Sequence, residues 1–166
     1  MLIGESGSGK SSLALILSSN GFSLIADDFS PMSNEMKHYK FPGAISVKEG
    51  FYSYANNLSK DFMKKKEYLV DKNKGKFKYF SLDIDDTLNS HNCNYVVDVK
   101  YGKHLKNNIS MSTKGKALQK LLPESWISEI SNNSKKFYQW IHNSNFYELT
   151  YNAVSYTHLR AHETDR

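Results

Sequence analysis

The chain has little of what cross-links or embeds a protein. Its single cysteine, Cys93, excludes an internal disulfide framework and most thiolate metal sites. Apolar residues make up 39% of the sequence and are dispersed, so no run is long enough to span a membrane, and the start does not read as a signal peptide. Internal repeats and low-complexity linkers are absent. Arginine is nearly missing: twenty of the 22 basic residues are lysine, and the only arginines are Arg160 and Arg166. What remains is a polar chain of 166 residues, enough for one domain that buries most of its surface without a staple.

The formal net charge is +5, and its location says more than its size. Between Lys60 and Lys78 eight lysines face Asp61, Glu67 and Asp71, so the whole excess lies there and the remainder is neutral. Without arginine and without a readable basic groove studded with aromatics, this segment is expected to be a solvated face, and neither nucleic acid nor membrane is expected as a partner. The two arginines fall in a segment of their own. Val154–Thr164 resembles, over eleven consecutive residues, one translated reading frame of a transposase-type sequencing adapter, so 154–166 reads as a non-native tail on a domain of residues 1–153. With only Met1-Leu2-Ile3 before the first motif, the opening strand reads as truncated and the domain as incomplete at both ends.

That motif is Gly4-Glu5-Ser6-Gly7-Ser8-Gly9-Lys10-Ser11, which fits G-x-x-x-x-G-K-[ST] without mismatch. Apolar Leu2-Ile3 precede it, Ser12–Ser19 reads as a helix, and Asn20-Gly21 supplies the stop. Glycines let successive backbone N–H groups turn inward around phosphate oxygens, and the helix N-terminus adds partial positive charge. Residues Gly4 to Ser12 are therefore the expected nucleotide-binding set. Lys10 would reach the β- and γ-phosphates, and the Ser11 hydroxyl would ligate Mg2+. Phe22–Ala26 reads as a short buried strand ending in Asp27-Asp28. Two carboxylates there suit a metal-holding role for one and proton acceptance from an attacking hydroxyl for the other, and spacing alone fits a solvated turn before Pro31 equally well.

Gly4–Ser11 followed by Gly21-Phe-Ser-Leu-Ile-Ala-Asp-Asp28 resembles the catalytic domain of HPr kinase/phosphorylase, which shares its fold with phosphoenolpyruvate carboxykinase. The 18-residue separation of Lys10 and Asp28 is that of the family. Phe41-Pro-Gly-Ala-Ile-Ser-Val-Lys-Glu-Gly50 and the closing stretches Phe137–Ile141 and Phe146–Tyr151 are similar to later parts of it. The resemblance implies an α/β phosphate-loop domain with a mixed sheet, in the cytoplasm and self-associating. It implies an enzyme that uses ATP and Mg2+ to phosphorylate a serine of a protein or peptide, with Lys10 and Asp28 catalytic and Ser11 and Asp27 at the metal. Differences from the family are the missing upstream histidine, His38 where a metal-binding glutamate is expected, and no arginine before Arg160. Lys48 and Glu49 are candidates for substitute roles. The alternative these differences raise is a nucleotide-binding regulatory domain without transfer chemistry.

Phe80-Ser-Leu-Asp83-Ile-Asp85-Asp86-Thr87-Leu88 resembles the D-x-D-x-T motif of dehalogenase-type phosphatases, with Asp83 as nucleophile. Asn89–Asn152 is too short for the rest of that fold, and an acidic loop between strands is the preferred reading. Tyr68–Val70 and Phe77–Leu82 flank a Gly75-containing turn and predict a hairpin. Tyr95–Tyr101 predicts a strand, and Ser112 is placed to cap a helix running to Leu122. Pro123 would end that helix or open the next, in which Trp126, Ile127, Ile130, Phe137, Trp140 and Ile141 suit burial. His91, Cys93 and His104 are spaced too loosely for zinc.

Overall fold

A computed structural model describes residues 1–41, 43–69, 75–81, 90–127 and 132–152, which fall into two compact units. In chain order the elements are β1 (Leu2–Ile3), α1 (Lys10–Ser19), β2 (Lys37–Tyr39), β3 (Ile45–Lys48), α2 (Tyr52–Leu58), β4 (Glu67–Leu69), β5 (Lys76–Phe80), β6 (Ser90–Asn92), β7 (Tyr95–Tyr101), β8 (Asn108–Met111), α3 (Lys114–Leu121), α4 (Asn133–Asn143) and β9 (Asn145–Tyr151). The first unit takes residues 1–10, 34–36 and the chain from Cys93; the second takes 11–33 and 37–92. The architecture is α/β, as expected. No helix among the described residues is long and apolar enough to cross a membrane.

The first unit is built on a four-stranded mixed sheet of order β1-β7-β9-β8. β1 runs parallel to β7 and β7 parallel to β9, while β8 returns antiparallel on the far side of β9. The expected strand Tyr95–Tyr101 is β7, central and seven residues long. Its pairing puts Val96 beside Phe146 and Asp98 beside Glu148 on one face. Helix α3 lies against that face: Lys120 pairs with Asp98, and the Lys116 ammonium sits 3.4 Å from Glu148. Glu148 also accepts from the Ser112 hydroxyl at 3.0 Å, and this bond, with Lys116 beside it, holds its carboxyl below the usual range. Ala117, Leu121, Phe137, Trp140 and Ile141 are buried from the helical side. The Trp140 indole N–H donates to Cys93 O at 2.9 Å, which ties α4 to the start of β7.

The second unit holds a three-stranded antiparallel sheet of order β3-β5-β4 and the separate pair β2-β6. Its core gathers Leu15 from α1, Ile45 and Val47 from β3, Tyr52 and Ala55 from α2, Phe80 from β5, and Phe62 from a 3₁₀ turn. The predicted hairpin appears as antiparallel β4 and β5, with residues 70–74 outside the described set. The lysines around it are largely wet, as expected of a solvated face. Lys64 pairs with Asp61 at 2.8 Å and Lys76 with Glu67 at 3.0 Å, both at exposed positions. Lys78 departs from this pattern: it is buried, donates to Met63 O at 2.5 Å and lies over the Tyr52 ring.

Three local expectations are corrected. Phe22–Ala26 forms no strand. Helix α1 ends in a left-handed Gly21, with Phe22 N donating to Leu17 O at 3.1 Å and Gly21 N to Ser18 O at 3.2 Å, so the first amide of the expected strand is spent closing the helix. The cap of α3 is Thr113, which accepts from Lys116 N at 3.3 Å; Ser112 turns its hydroxyl to Glu148 instead. Trp126 is 89% exposed, because the chain leaves helical geometry after the 3₁₀ turn Leu122–Glu124 and the helical period no longer applies. Ile130, the Asp83–Thr87 motif and the tail from Ala153 lie outside the described residues.

Candidate functional site

The Gly4–Lys10 loop leaves the carboxyl end of β1 and runs into α1, the strand–loop–helix order that the motif requires. Gly4, Gly7 and Gly9 all have positive φ (140°, 86° and 91°), a backbone course closed to ordinary side chains. Space forbids substitution as firmly as the dihedrals do. A Cβ on Gly4 would lie 2.7 Å from Val99 O, and one on Gly9 would lie 2.0 Å from the Tyr151 hydroxyl. A Ser8 N to Glu5 O bond of 3.1 Å turns the loop. The Lys10 ammonium lies back over it, donating to Gly4 O at 2.7 Å and Glu5 O at 2.8 Å. Ser8 Oγ is buried and has no hydrogen-bond partner among the described residues. Glu5, Ser6 and Gly7 are exposed at the rim.

In the second unit the structure brings Ser11 and Asp27 together. The Ser11 hydroxyl donates to one Asp27 oxygen at 3.1 Å, and Ser46 N approaches the other at 3.4 Å. Asp27 is half-buried, Asp28 beside it is exposed, and Ser12 is half-buried on α1. A hydroxyl and a carboxylate in contact form a hard-oxygen donor pair of the kind magnesium takes, with water filling its other positions. No group of three or more histidine, cysteine, aspartate or glutamate side chains arranged for a metal occurs among the described residues. Any ion at Ser11 and Asp27 would therefore depend on a ligand's own oxygens for much of its shell. Lys48 and Glu49, the candidates for substitute roles, are both exposed at the end of β3.

His38 is buried on β2, with Nδ1 2.9 Å from the Ser30 hydroxyl. Burial pushes its pKa down to about 4. Because the folded value lies below the unfolded one near 6.5, the neutral ring's contribution is complete above that value and is lost as pH falls through 6.5 towards 4. The parent is expected to lose on the order of 2–3 kcal/mol more unfolding free energy between pH 7 and pH 4 than His38→Gln does. Urea titrations at the two pH values check this, and equal losses would remove His38 from the account.

Sequence reasoning missed two groups around the loop. Tyr151 ends β9 and donates to Gly9 O at 2.9 Å. Asp98, in register with Ile3 on β1, has one buried oxygen that would lie 3.4 Å from a Gly4 Cβ. The available signal was positional, since both lie on strands parallel to the loop-bearing strand, Asp98 on its neighbour β7 and Tyr151 on β9 one strand further.

The chain matches no protein-family model, no curated protein and no solved structure.

Proposed function

We propose that the chain is a phosphate-loop domain similar to HPr kinase, with a phosphoenolpyruvate carboxykinase-like fold, that binds Mg·ATP and transfers its γ-phosphoryl group to a serine hydroxyl of a protein or peptide. The observation that carries the reading is the Gly4–Lys10 loop, with three left-handed glycines at the carboxyl edge of parallel strands and Lys10 folded onto its carbonyls. Phosphate oxygens would take the place of those carbonyls as partners of the Lys10 ammonium. The Ser11 hydroxyl and the Asp27 carboxylate would hold magnesium, which when bound neutralises phosphate charge. Asp28, exposed, is free to approach an incoming hydroxyl and accept its proton. The remaining work is positioning.

A second reading, nucleotide binding with regulatory output and no transfer, draws support from His38. It is buried against Ser30 at the position where the resemblance implies a metal-binding glutamate. Calorimetric titration with ATP separates the outcomes. Binding is expected in magnesium and is expected to be lost in excess chelator; a protein that binds no ATP in magnesium ends both readings. Radiolabelled γ-phosphate appearing on serine-containing acceptors selects the kinase. Tight binding with neither transfer nor hydrolysis selects the regulatory domain.

A further inference from the structure

Tyr151 is buried at the last position of β9, 142 residues from the loop it touches, and its hydroxyl donates to Gly9 O at 2.9 Å. Its ring packs on Tyr101, the last residue of β7 and its register partner, with centroids 5.4 Å apart. A Cβ on Gly9 would meet the Tyr151 hydroxyl at 2.0 Å and Tyr101 Cβ at 3.1 Å, so the two tyrosines form a wall directly behind the loop's last glycine. The peptide that joins Gly9 to Lys10 is trans, as are all the described peptides. In a trans peptide the carbonyl and the N–H point in opposite directions. Fixing the Gly9 carbonyl against the tyrosine therefore turns the Lys10 N–H away from the wall. Lys10 opens α1, so this N–H is one of the helix's first four and has no partner within it.

We propose that Tyr151 is a positioning residue of the phosphate loop: by holding the Gly9 carbonyl it aims the Lys10 backbone N–H at the phosphate chain of a bound nucleotide. This rests on the nucleotide-binding reading above. The tyrosine touches no phosphate; it acts through one peptide plane. Its effect therefore belongs to the polyphosphate part of the ligand and is shared by ATP and inorganic tripolyphosphate.

The test titrates Mg·ATP and magnesium tripolyphosphate into the parent protein, Tyr151→Phe and Tyr147→Phe. Tyr147 lies on the same strand four residues earlier, its ring tilted against that of Tyr95 with centroids 6.3 Å apart. Tyr151→Phe keeps the ring and loses only the hydroxyl. It is expected to weaken both ligands about three- to tenfold, while melting within about 3 °C of the parent. Amide exchange at Lys10 without ligand is expected to quicken in Tyr151→Phe and stay unchanged in Tyr147→Phe, a readout that separates aiming of this peptide from general loosening. Binding by Tyr151→Phe within twofold of a parent that does bind, or unchanged exchange at Lys10, overturns the role of the tyrosine alone. A parent that binds neither ligand overturns the nucleotide reading and this inference with it.

Discussion

Lys10→Ala is expected to weaken Mg·ATP binding on the order of 100-fold, while Asp28→Asn leaves affinity nearly intact and removes phosphoryl transfer. The two residues differ in when they act. The Lys10 ammonium already has two acceptors, Gly4 O and Glu5 O, at 2.7 and 2.8 Å, so it is held over the loop before any ligand arrives. On the proposed function, truncating it removes a charge that would meet phosphate oxygens in the ground state as well as during transfer, and the loss is expected in binding. Asp28 is exposed and lies beside Asp27, the carboxylate that is already engaged with Ser11 and Ser46. Its amide analogue keeps shape and polarity but cannot accept the acceptor's proton, a loss of about 10²- to 10⁴-fold in turnover. Titration calorimetry and single-turnover transfer on the two variants give the split. An Asp28→Asn protein that transfers phosphate as fast as the parent would show that the base lies elsewhere.

Phe62→Ala is expected to cost about 3–5 kcal/mol of unfolding free energy, read as a lower urea midpoint with the slope unchanged. Phe62 is fully buried and sits between two aromatic neighbours, edge-on to Tyr52 at 5.6 Å and tilted against Phe80 at 5.7 Å. Removing the ring leaves a cavity at the meeting point of α2, β5 and the 3₁₀ turn, three elements that cannot all shift to fill it. Lys64→Ala, two residues on, removes only an exposed pair with Asp61 and is expected to fall within about 0.5 kcal/mol of the parent. Equal midpoints for the two variants would mean that the lysine-rich stretch is not anchored through Phe62.

The backbone course of Gly4–Ser11 was legible because it is set locally. Eight consecutive residues dictate a backbone course, and the three left-handed glycines follow from them without reference to the rest of the chain. Strand β7 and helix α4 were legible for the same reason: Phe137, Trp140 and Ile141 recur at helical spacing and are buried, and Val96 and Val99, on opposite faces of an inner strand, are buried on both. The failures lie where one residue had two competing uses. Phe22 had strand character, but its amide closes α1. Ser112 and Thr113 are both fit to cap α3, and only the distant Glu148, which takes the serine, decides between them. Trp126 suits burial only in a helix opened by Pro123, and what Pro123 opens is a 3₁₀ turn that stops at Glu124. The partners of the loop were illegible in a stricter sense. Nothing near Gly9 in sequence indicates Tyr151, because parallel pairing through β7 is what brings the two together.

That pairing also orders events in time. β1 finds its register only on Val97 and Asp98, and Gly9 meets its tyrosine only at position 151. A ribosome therefore releases the glycine loop long before it releases the strands that shape it. The Gly4–Lys10 loop, made before the strands that hold it, is among the last parts to become structured, and closing a loop of this length before any contact repays it makes the step intrinsically slow. Until then the loop is a glycine-rich segment without a fixed backbone course. If the chain binds ATP as proposed, ATP added during refolding should consequently stabilise the finished protein while doing little to speed its formation.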